Sequence, residues 1–500
     1  NMEHINYDFL DELDLSPEVI LKISSLLDTV KFGSSQEIVS PLGKNLDPEL
    51  ILFAWDKVFN SKRSVLSDEL FELENLNRAK FGPRSVAVDW STRKDLVMKY
   101  FDPDISKRVP DFKGNLPRCL RPISLDNAVR YLKNDTNSGL PFYRRKGDIK
   151  DILMGNFNHY LDRCDPCVMF TRTQEGNKTR TIFGYPSADT LNEMRFYRPL
   201  LQYQRRLNWR SALLGPEAVD EHLTKIIIEG IRLNQSLLSI DISMYDASVK
   251  TRLQKGAFDY IRSLFQYDYL CDLDYIEERF NTIGLITPDG VYGGPHGVPS
   301  GSTFTNEVDS VVQFNCAKSL GLEEEQFDIQ GDDGAYRVSD PNMVKEGLKD
   351  FGLPVNDEKS YVSDKCLIYL QNLYSVDYID SHGKIRGIYP TYRALCRILF
   401  PERFDKFSDD GVEGADYYSI KTISILENCR NHPLFPDLVK FVAKLDRYKL
   451  NYSQRGLLQY IQRIKKSSGA EGLIIHKPEN MVSGLNSFKT VKILSELNPR

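Results

Sequence analysis

The sequence has no long hydrophobic run and few cysteines. No stretch of its 500 residues approaches the roughly 18 consecutive apolar residues of a membrane-spanning helix, so we predict a soluble chain with no membrane partner. The eight cysteines are scattered without the density of a disulfide framework, which predicts a reduced, intracellular protein. The first 20 residues are rich in acids, unlike the basic start of a signal peptide.

Charge of one sign and several catalytic motifs are also missing. The 65 basic and 70 acidic residues give a net charge of −5, which argues against a surface coated with nucleic acid but allows a basic channel in an acidic shell. A P-loop is absent, Cys164 and Cys167 lack a second cysteine pair for zinc, and Ser300 lies outside any G-x-S-x-G motif. Three common enzyme and metal-site classes are thereby disfavoured.

What remains is an ordinary globular composition. Hydrophobic residues make up 41% and charged residues 27%, with 31 glycines and 24 prolines, so disorder, collagen and coiled coil are excluded. The length predicts roughly three domains. A basic cluster of Arg205, Arg206 and Arg210 is more typical of a solvated face than of a binding site.

Periodicity predicts a short list of elements. These are a helix over 16–30 with Ser16 as its cap, a strand at 237–240, a loop over 293–302 followed by a helix over 303–320, a hairpin over 327–338, a helix over 341–351 and a helix over 436–450. The tail beyond Ser467 is predicted to be loop or a loose terminus.

Carboxylates stand at two of these element ends. Asp241 ends the apolar strand, and the Gly331-Asp332-Asp333-Gly334 sequence lies at the hairpin tip. Asp-Gly pairs are common in turns for backbone reasons alone. An ionised carboxylate beside a core is costly without a cation, however, and Mg²⁺ is bound by one or two carboxylates plus substrate phosphates. The pattern therefore favours phosphoryl transfer with bound Mg²⁺, with Mn²⁺ as an alternative.

The order of these units resembles motifs A, B and C of viral RNA-dependent RNA polymerases. Motif A is D-x-S-x-x-D from Asp241 to Asp246, motif B follows in GVPSGSTFTNEVDS (297–310), and motif C lies in IQGDDGAY (329–336). The strings look most like those of the picobirnavirus and partitivirus group of double-stranded-RNA viruses. The resemblance covers about residues 134–375. It implies a mixed α/β right-hand fold of fingers, palm and thumb, with an antiparallel palm sheet flanked by helices.

The resemblance also implies roles for matching residues. Asp241 and Asp332 would bind two metal ions, with Asp333 as a weaker or outer ligand, and Asp246 would read the ribose 2′-hydroxyl. Ser300 and Gly301 would support the template base. Thr305 occupies the position of the ribose-network threonine; because Asp309 stands where many relatives have Asn, the final ribose contact is left open between Asp309 and Asn306.

Flanking segments resemble four further motifs. Their residues are Arg172, Lys178 and Arg180 for the nucleotide triphosphate in motif F, Ser138, Gly139, Arg144 and Arg145 for template RNA in or beside motif G, Lys359 as the motif D proton donor to pyrophosphate, and 369–374 as the motif E hairpin at the primer end. By the same resemblance, residues 1–70 would bridge fingers and thumb. Fingers would span 71–235, palm 236–378 with a fingers insertion near 251–290, and thumb and tail 379–500.

The predicted activity is RNA-directed RNA polymerisation that replicates and transcribes a viral double-stranded RNA genome. Expected partners are template and nascent RNA, ribonucleoside triphosphates and viral capsid protein, and the expected location is the virion interior or the host cytoplasm. A reverse transcriptase is disfavoured because Asp246 stands where a bulky gate is usual. A scaffold that only binds RNA or capsid protein would not need Asp241, Asp332 and Asp333. Primer dependence and the preferred metal are left open.

Overall fold

Helices and short strands alternate along the chain in the computed structural model, which describes residues 7–42, 46–111, 114–405, 411–468 and 481–498. The helices in these ranges are α1 (Pro17–Phe32), α2 (Pro48–Ser61), α3 (Asp68–Arg78), α4 (Trp90–Met98), α5 (Leu125–Ala128), α6 (Lys146–Gly155), α7 (Phe157–Asp162), α8 (Ser187–Gln204), α9 (Pro216–Arg232), α10 (Tyr245–Ser248), α11 (Thr251–Leu264), α12 (Leu270–Thr282), α13 (Thr305–Ser319), α14 (Pro341–Asp350), α15 (Thr391–Leu399), α16 (Gly414–Glu427), α17 (Phe435–Leu445), α18 (Gln454–Ser468) and α19 (Lys489–Leu497).

The strands are short. They are β1 (Cys167–Gln174), β2 (Lys178–Gly184), β3 (Ser236–Ile240), β4 (Leu285–Thr287), β5 (Gly290–Tyr292), β6 (Phe327–Gln330), β7 (Asp333–Val338), β8 (Tyr361–Ser363), β9 (Cys366–Tyr369) and β10 (Asn372–Ser375). Across the described ranges, no helix is both long enough and apolar enough to cross a bilayer.

The central sheet is antiparallel, with strand order β6-β7-β3-β8. The predicted strand and hairpin are confirmed as β3 and as β6 with β7. Strand β3 is apolar almost throughout because elements cover both of its faces: α11, α13 and α14 share one core cluster with Leu238 and Ile240, and α9 shares another with Leu237. Because β3 is buried on both faces, it fixes the position of Asp241, the residue that directly follows it.

A second sheet has the strand order β2-β1-β4-β5; β1 and β2 precede β3 in the chain, whereas β4 and β5 lie between β3 and β6. Strands β1 and β2 form a long antiparallel hairpin in which Arg172 pairs with Arg180, and β4 adds in parallel to β1. A two-stranded hairpin, β9 with β10, packs against the central sheet. The two sheets and this hairpin match the mixed α/β class predicted from the sequence.

The N-terminal helices contact distant parts of the chain. Helix α1 begins as predicted, with Ser16 Oγ accepting the Val19 amide hydrogen, and it packs on β1. Helices α2 and α3 instead share a core with α15, α16 and α17. The N-terminal segment thus touches both the β2-β1-β4-β5 sheet and the C-terminal helices. The domain boundaries drawn from the sequence remain predictions.

Two expectations about the C-terminal region are wrong. The helix expected over 436–450 ends at Leu445 because the Asp446 backbone is extended; the Leu450 amide then donates to Asp446 Oδ2 in the turn that follows. The tail beyond Ser467 was expected to lack regular structure, but it contains α19, which packs on α17. Glu427 accepts the first amide hydrogens of α19, a contact invisible to local periodicity. Residues 469–480 lie outside the described ranges.

Candidate active site

Three carboxylates meet at one edge of the central sheet. Asp241 directly follows β3, Asp333 begins β7, and Asp332 lies in the turn between β6 and β7. Because Ile240 pairs with Gly334, the next residue outward on each strand places Asp241 beside Asp333. The antiparallel register therefore brings together residues about 90 positions apart in sequence, as the predicted motifs A and C require.

Two buried side chains of helix α13 hydrogen-bond to the backbone of the Gly331 turn. Ser310 Oγ accepts the Gly331 amide hydrogen over 2.8 Å, and Gln313 Nε2 donates to the Gly331 carbonyl over 2.9 Å. The Tyr336 hydroxyl in turn donates to Gln313 Oε1. Both α13 residues are fully buried, and sequence reasoning missed them because buried polar positions on a helix have no local signature. The turn's position is thereby set by two bonded partners.

The Asp332 side chain is solvent-exposed but lies among other charged groups. The surrounding protein raises its pKa, the Asp246 and Asp241 carboxylates raise it further, and Arg180 opposes them. This set of influences shows that Asp241, Asp246, Asp332 and Arg180 share one electrostatic neighbourhood. The excess negative charge there is suited to a cation or to cation-bound phosphates.

Asp246 lies in the short helix α10 and accepts a hydrogen bond from the Ser300 hydroxyl. Asp309 on α13 is only 5% exposed, and burial together with the neighbouring Asp246 carboxylate raises the Asp309 pKa well above its usual range. The two side chains are hydrogen-bonded to each other. Asn306 lies elsewhere, with its Oδ1 beside Gly331. Of the two residues left open, Asp309 is therefore the one that touches Asp246.

The loop that carries Ser300 rests on β2. The Phe183 amide donates to the Ser300 carbonyl over 2.6 Å, and Gly301 follows with φ +130°. A Cβ on Gly301 would overlap the Phe183 carbonyl oxygen, so only glycine fits. Thr305 donates its hydroxyl to the Pro299 carbonyl over 3.0 Å and so helps to close the loop.

The β1–β2 hairpin supplies the cations. Burial lowers the pKa of Lys178, and Arg180, Lys359 and Lys80 lower it further, while Asp332 raises it. Lys359 and Asp332 therefore each lie within electrostatic reach of Lys178, although the three residues come from separate segments. Arg172 is exposed and lies 3.6 Å from the Glu402 carboxylate. The structure thus places Lys178 and Arg180 near Asp332, with Lys359 near Lys178 and Arg172 facing Glu402.

The predicted template-binding residues differ in accessibility. Ser138 is fully buried, and its hydroxyl accepts the Arg144 amide hydrogen over 3.0 Å. Gly139 packs against the Tyr185 carbonyl with φ +62°. Ser138 and Gly139 therefore shape the turn, whereas the Arg144 and Arg145 side chains are exposed. Any contact with RNA phosphates in this turn would come from the two arginines.

Two further residues contact the Ser300 loop and were not predicted from the sequence. Glu193 on α8 is buried beneath the Ser300 loop and accepts from Ser302 Oγ over 2.6 Å and from the Thr303 amide. The Tyr100 hydroxyl lies 3.5 Å from Ser300 Oγ, from a segment far upstream. Neither residue lies in a recognisable sequence motif. The supporting role of the buried Glu193 is evident only from its hydrogen-bond partners. The prediction that Arg205, Arg206 and Arg210 form a solvated face is wrong for Arg210, which is fully buried and pairs with Glu307.

The donor atoms fit a hard divalent cation. Carboxylate oxygens are the ligands that Mg²⁺ and Mn²⁺ favour, and Mg²⁺ typically takes only one or two of them, with waters and phosphates completing its shell. In the described part of the chain, no three acidic, histidine or cysteine side chains are already grouped as a metal site. Asp241 and Asp332 would thus hold ions together with the substrate's phosphates.

Comparison with known proteins identifies the family. The model of the viral RNA-dependent RNA polymerase family matches residues 113–387, more than half of the chain. A potential RNA-dependent RNA polymerase of human picobirnavirus is 27% identical in an alignment of length 480 that covers 88% of each chain. An RNA-directed RNA polymerase of Cryptosporidium parvum virus 1 is 23% identical in an alignment of length 274 that covers 48% of this chain and 52% of that protein.

A solved structure shows the same fold. The crystal structure of the RNA-dependent RNA polymerase of a human picobirnavirus matches with a TM-score of 0.82 at 23% identity, covering 99% of this chain and 100% of the other. The mixed α/β right-hand polymerase fold predicted from the sequence is thereby confirmed.

The chain belongs to the viral RNA-dependent RNA polymerases, and it is an RNA-directed RNA polymerase. Within that class, it is a polymerase of a double-stranded-RNA virus, similar to the picobirnavirus enzymes.

Proposed function

We propose that this polymerase replicates and transcribes a double-stranded RNA genome by nucleotidyl transfer with two bound metal ions, Mg²⁺ or Mn²⁺. The observation that carries the proposal is the convergence of Asp241, Asp246 and Asp332 beside Arg180 and Lys178. Such a site pairs ligands for a cation with cations for a triphosphate, which is the charge arrangement that phosphoryl transfer needs.

In the proposed reaction, the 3′-hydroxyl of nascent RNA attacks the α-phosphate of a ribonucleoside triphosphate, and pyrophosphate leaves. When bound, the ions would neutralise charge on the attacking and leaving oxygens. Asp241 and Asp332 would hold the ions, with Asp333 as an outer ligand. Lys178 and Arg180 bind the triphosphate, while exposed Arg172 reaches it on release from Glu402. Lys359 protonates the leaving pyrophosphate, since it shares the electrostatic neighbourhood of Lys178.

The ribose is read at Asp246. Its carboxylate is oriented by donors from Ser300 and from the buried Asp309, which leaves it placed to accept a hydrogen bond from the 2′-hydroxyl. Thr305 closes the Ser300 loop through Pro299, and Gly301 lets that loop pack on Phe183, from where it would support the template base; Asn306 lies by the Gly331 turn instead. Arg144 and Arg145 contact template phosphates, on a turn shaped by Ser138 and Gly139.

The test is incorporation of labelled ribonucleotides on a short single-stranded RNA template, with and without primer and divalent metal. We expect metal-dependent product from the parent chain and none from Asp332→Ala at unchanged RNA affinity. A parallel deoxynucleotide reaction measures sugar selection. An active Asp332→Ala would refute the metal assignment, and an inactive, folded parent that still binds RNA would favour a binding role.

We further propose that the enzyme acts inside the virion, or in the host cytoplasm, with capsid protein as a partner. Support comes from its similarity to polymerases of double-stranded-RNA viruses. Co-sedimentation with assembled capsid protein, with an Asp332→Ala chain as a folded control, tests this partner; absence of co-sedimentation for both would refute it.

A further inference from the structure

A buried carboxylate joins the catalytic hairpin to the β9–β10 hairpin. Asp328 lies on β6, four residues before Asp332, and its side chain has no exposed surface. Three polar side chains from outside β6 converge on it: the Ser211 hydroxyl donates over 2.6 Å, the Tyr369 hydroxyl donates over 2.7 Å, and His222 Nδ1 lies at 2.6 Å. Nothing in the nucleotidyl-transfer chemistry described above uses this cluster.

The hydrogen bonds of this cluster are expected to contribute strongly to the free energy of folding. A buried carboxylate without partners is strongly destabilising, whereas each hydrogen bond to a charged group is about twice as strong as a neutral one. Burial and the Asp328 carboxylate both raise the pKa of Tyr369, so its hydroxyl stays protonated and donates. The four side chains therefore have one favourable arrangement and resist relative movement of the elements that carry them.

Those elements frame the carboxylate edge of the sheet. Strand β6 leads into the turn that carries Asp332, and Tyr369 ends β9 just before the turn at Leu370 and Gln371. A second bond ties β9 to β3, where the Ile368 amide donates to Ser239 Oγ over 2.8 Å, two residues before Asp241. The β9–β10 hairpin is thus anchored to both strands that lead into the candidate metal ligands.

We propose that Asp328 and Tyr369 are positioning residues that set the β9–β10 hairpin, and with it the 3′ end of nascent RNA, relative to Asp241 and Asp332. This inference rests on the proposed function and on the assignment of residues 369–374 to the primer end. Neither side chain touches substrate; both act through the hairpin. Loss of the Tyr369 hydroxyl would let the hairpin shift, and small displacements of a reacting group are costly in rate.

The test compares Tyr369→Phe with the parent in addition of one nucleotide to a preformed RNA primer–template duplex. We expect the rate at saturating nucleotide to fall about tenfold, with the nucleotide KM and the duplex Kd each within twofold of the parent. A merely structural role would instead lower thermal stability without a selective loss of rate. Ser211→Ala removes a second donor, and because both donors share Asp328, the double variant should lose less than the product of the two single losses.

Tyr392→Phe is the matched control. Tyr392 is equally buried, and its hydroxyl also donates to a carboxylate, that of Asp56, but in the core formed by the N-terminal and C-terminal helices. We expect this variant to keep the parental rate within twofold. A Tyr369→Phe rate within twofold of the parent overturns the inference, as does a loss confined to duplex affinity. A parent chain that adds no nucleotide overturns the proposed function, and the inference with it.

Discussion

The ion pair between Arg210 and Glu307 gives a sharp stability prediction. The guanidinium donates to both carboxylate oxygens, over 2.6 and 2.8 Å, and neither side chain has exposed surface. Burial alone would lower the pKa of Arg210, but the Glu307 carboxylate outweighs it and raises that pKa. Removing either partner leaves the other buried without its counter-charge.

The expected cost of Arg210→Met is about 3–5 kcal/mol, the range for breaking a buried pair. For a cooperative unit of about 150–250 residues, each kcal/mol shifts the Tm by about 2–4 °C, so the Tm should fall by about 6–20 °C. Replacing both residues, Arg210→Met with Glu307→Leu, removes both charges together. Apolar replacement of whole buried pairs is often close to neutral, so the double variant should recover most of the loss.

Thermal unfolding of the parent, Arg210→Met, Glu307→Leu and the double variant measures this pattern. Lys255→Met is the control because Lys255 and Asp259 form an exposed pair, whose loss should cost less than about 1 kcal/mol. The reasoning is refuted if either single variant unfolds within 2 °C of the parent, a limit set by roughly 1 kcal/mol. It is equally refuted if the double variant is the least stable of the four.

Three further predictions concern the site. Asp332→Asn should abolish nucleotide addition and also remove the stabilisation by Mg²⁺, about 1.4 kcal/mol at ten times its Kd, that we expect of the parent; equal Mg²⁺ shifts in thermal unfolding would contradict this. Asp246→Ala should weaken the preference for ribonucleotides over deoxynucleotides, measured as a ratio of kcat/KM; an unchanged ratio would move sugar selection elsewhere. Burial raises the pKa of Glu193 from 4.5 to about 8, so the folded chain binds the proton more tightly than the unfolded one. Its stability should therefore fall between pH 4.5 and about 8, and Glu193→Gln should flatten that profile; parallel profiles would refute the assignment.

The sequence patterns predicted the elements around the central sheet most completely. Strand β3, the β6–β7 hairpin and helix α14 follow from short-range periodicity and turn chemistry, and the structure has them where the patterns indicate. The C-terminal helix α19 was missed because its first amides are bonded to Glu427, more than 60 positions away. Local patterns cannot register a cap supplied from such a distance.

The residues of the candidate site also fall into two groups: those that short motifs predict, and those whose role depends on distant partners. Asp241, Asp246, Asp332 and Asp333 stand out in the sequence because their chemistry is concentrated in short motifs after recognisable elements. Their supports do not: Gln313, which holds the Gly331 turn, is one polar residue on a helix with no motif of its own. Such roles depend on long-range partners.

The sequence by itself determined which carboxylates and cations are available and in what order they occur along the chain. Only the tertiary structure decided that Asp309 contacts Asp246 while Asn306 lies beside Gly331, and that Arg210 is buried against Glu307. The physical reason is that a side chain's charge state, partners and exposure depend on neighbours brought together by packing, and these neighbours are distant in sequence.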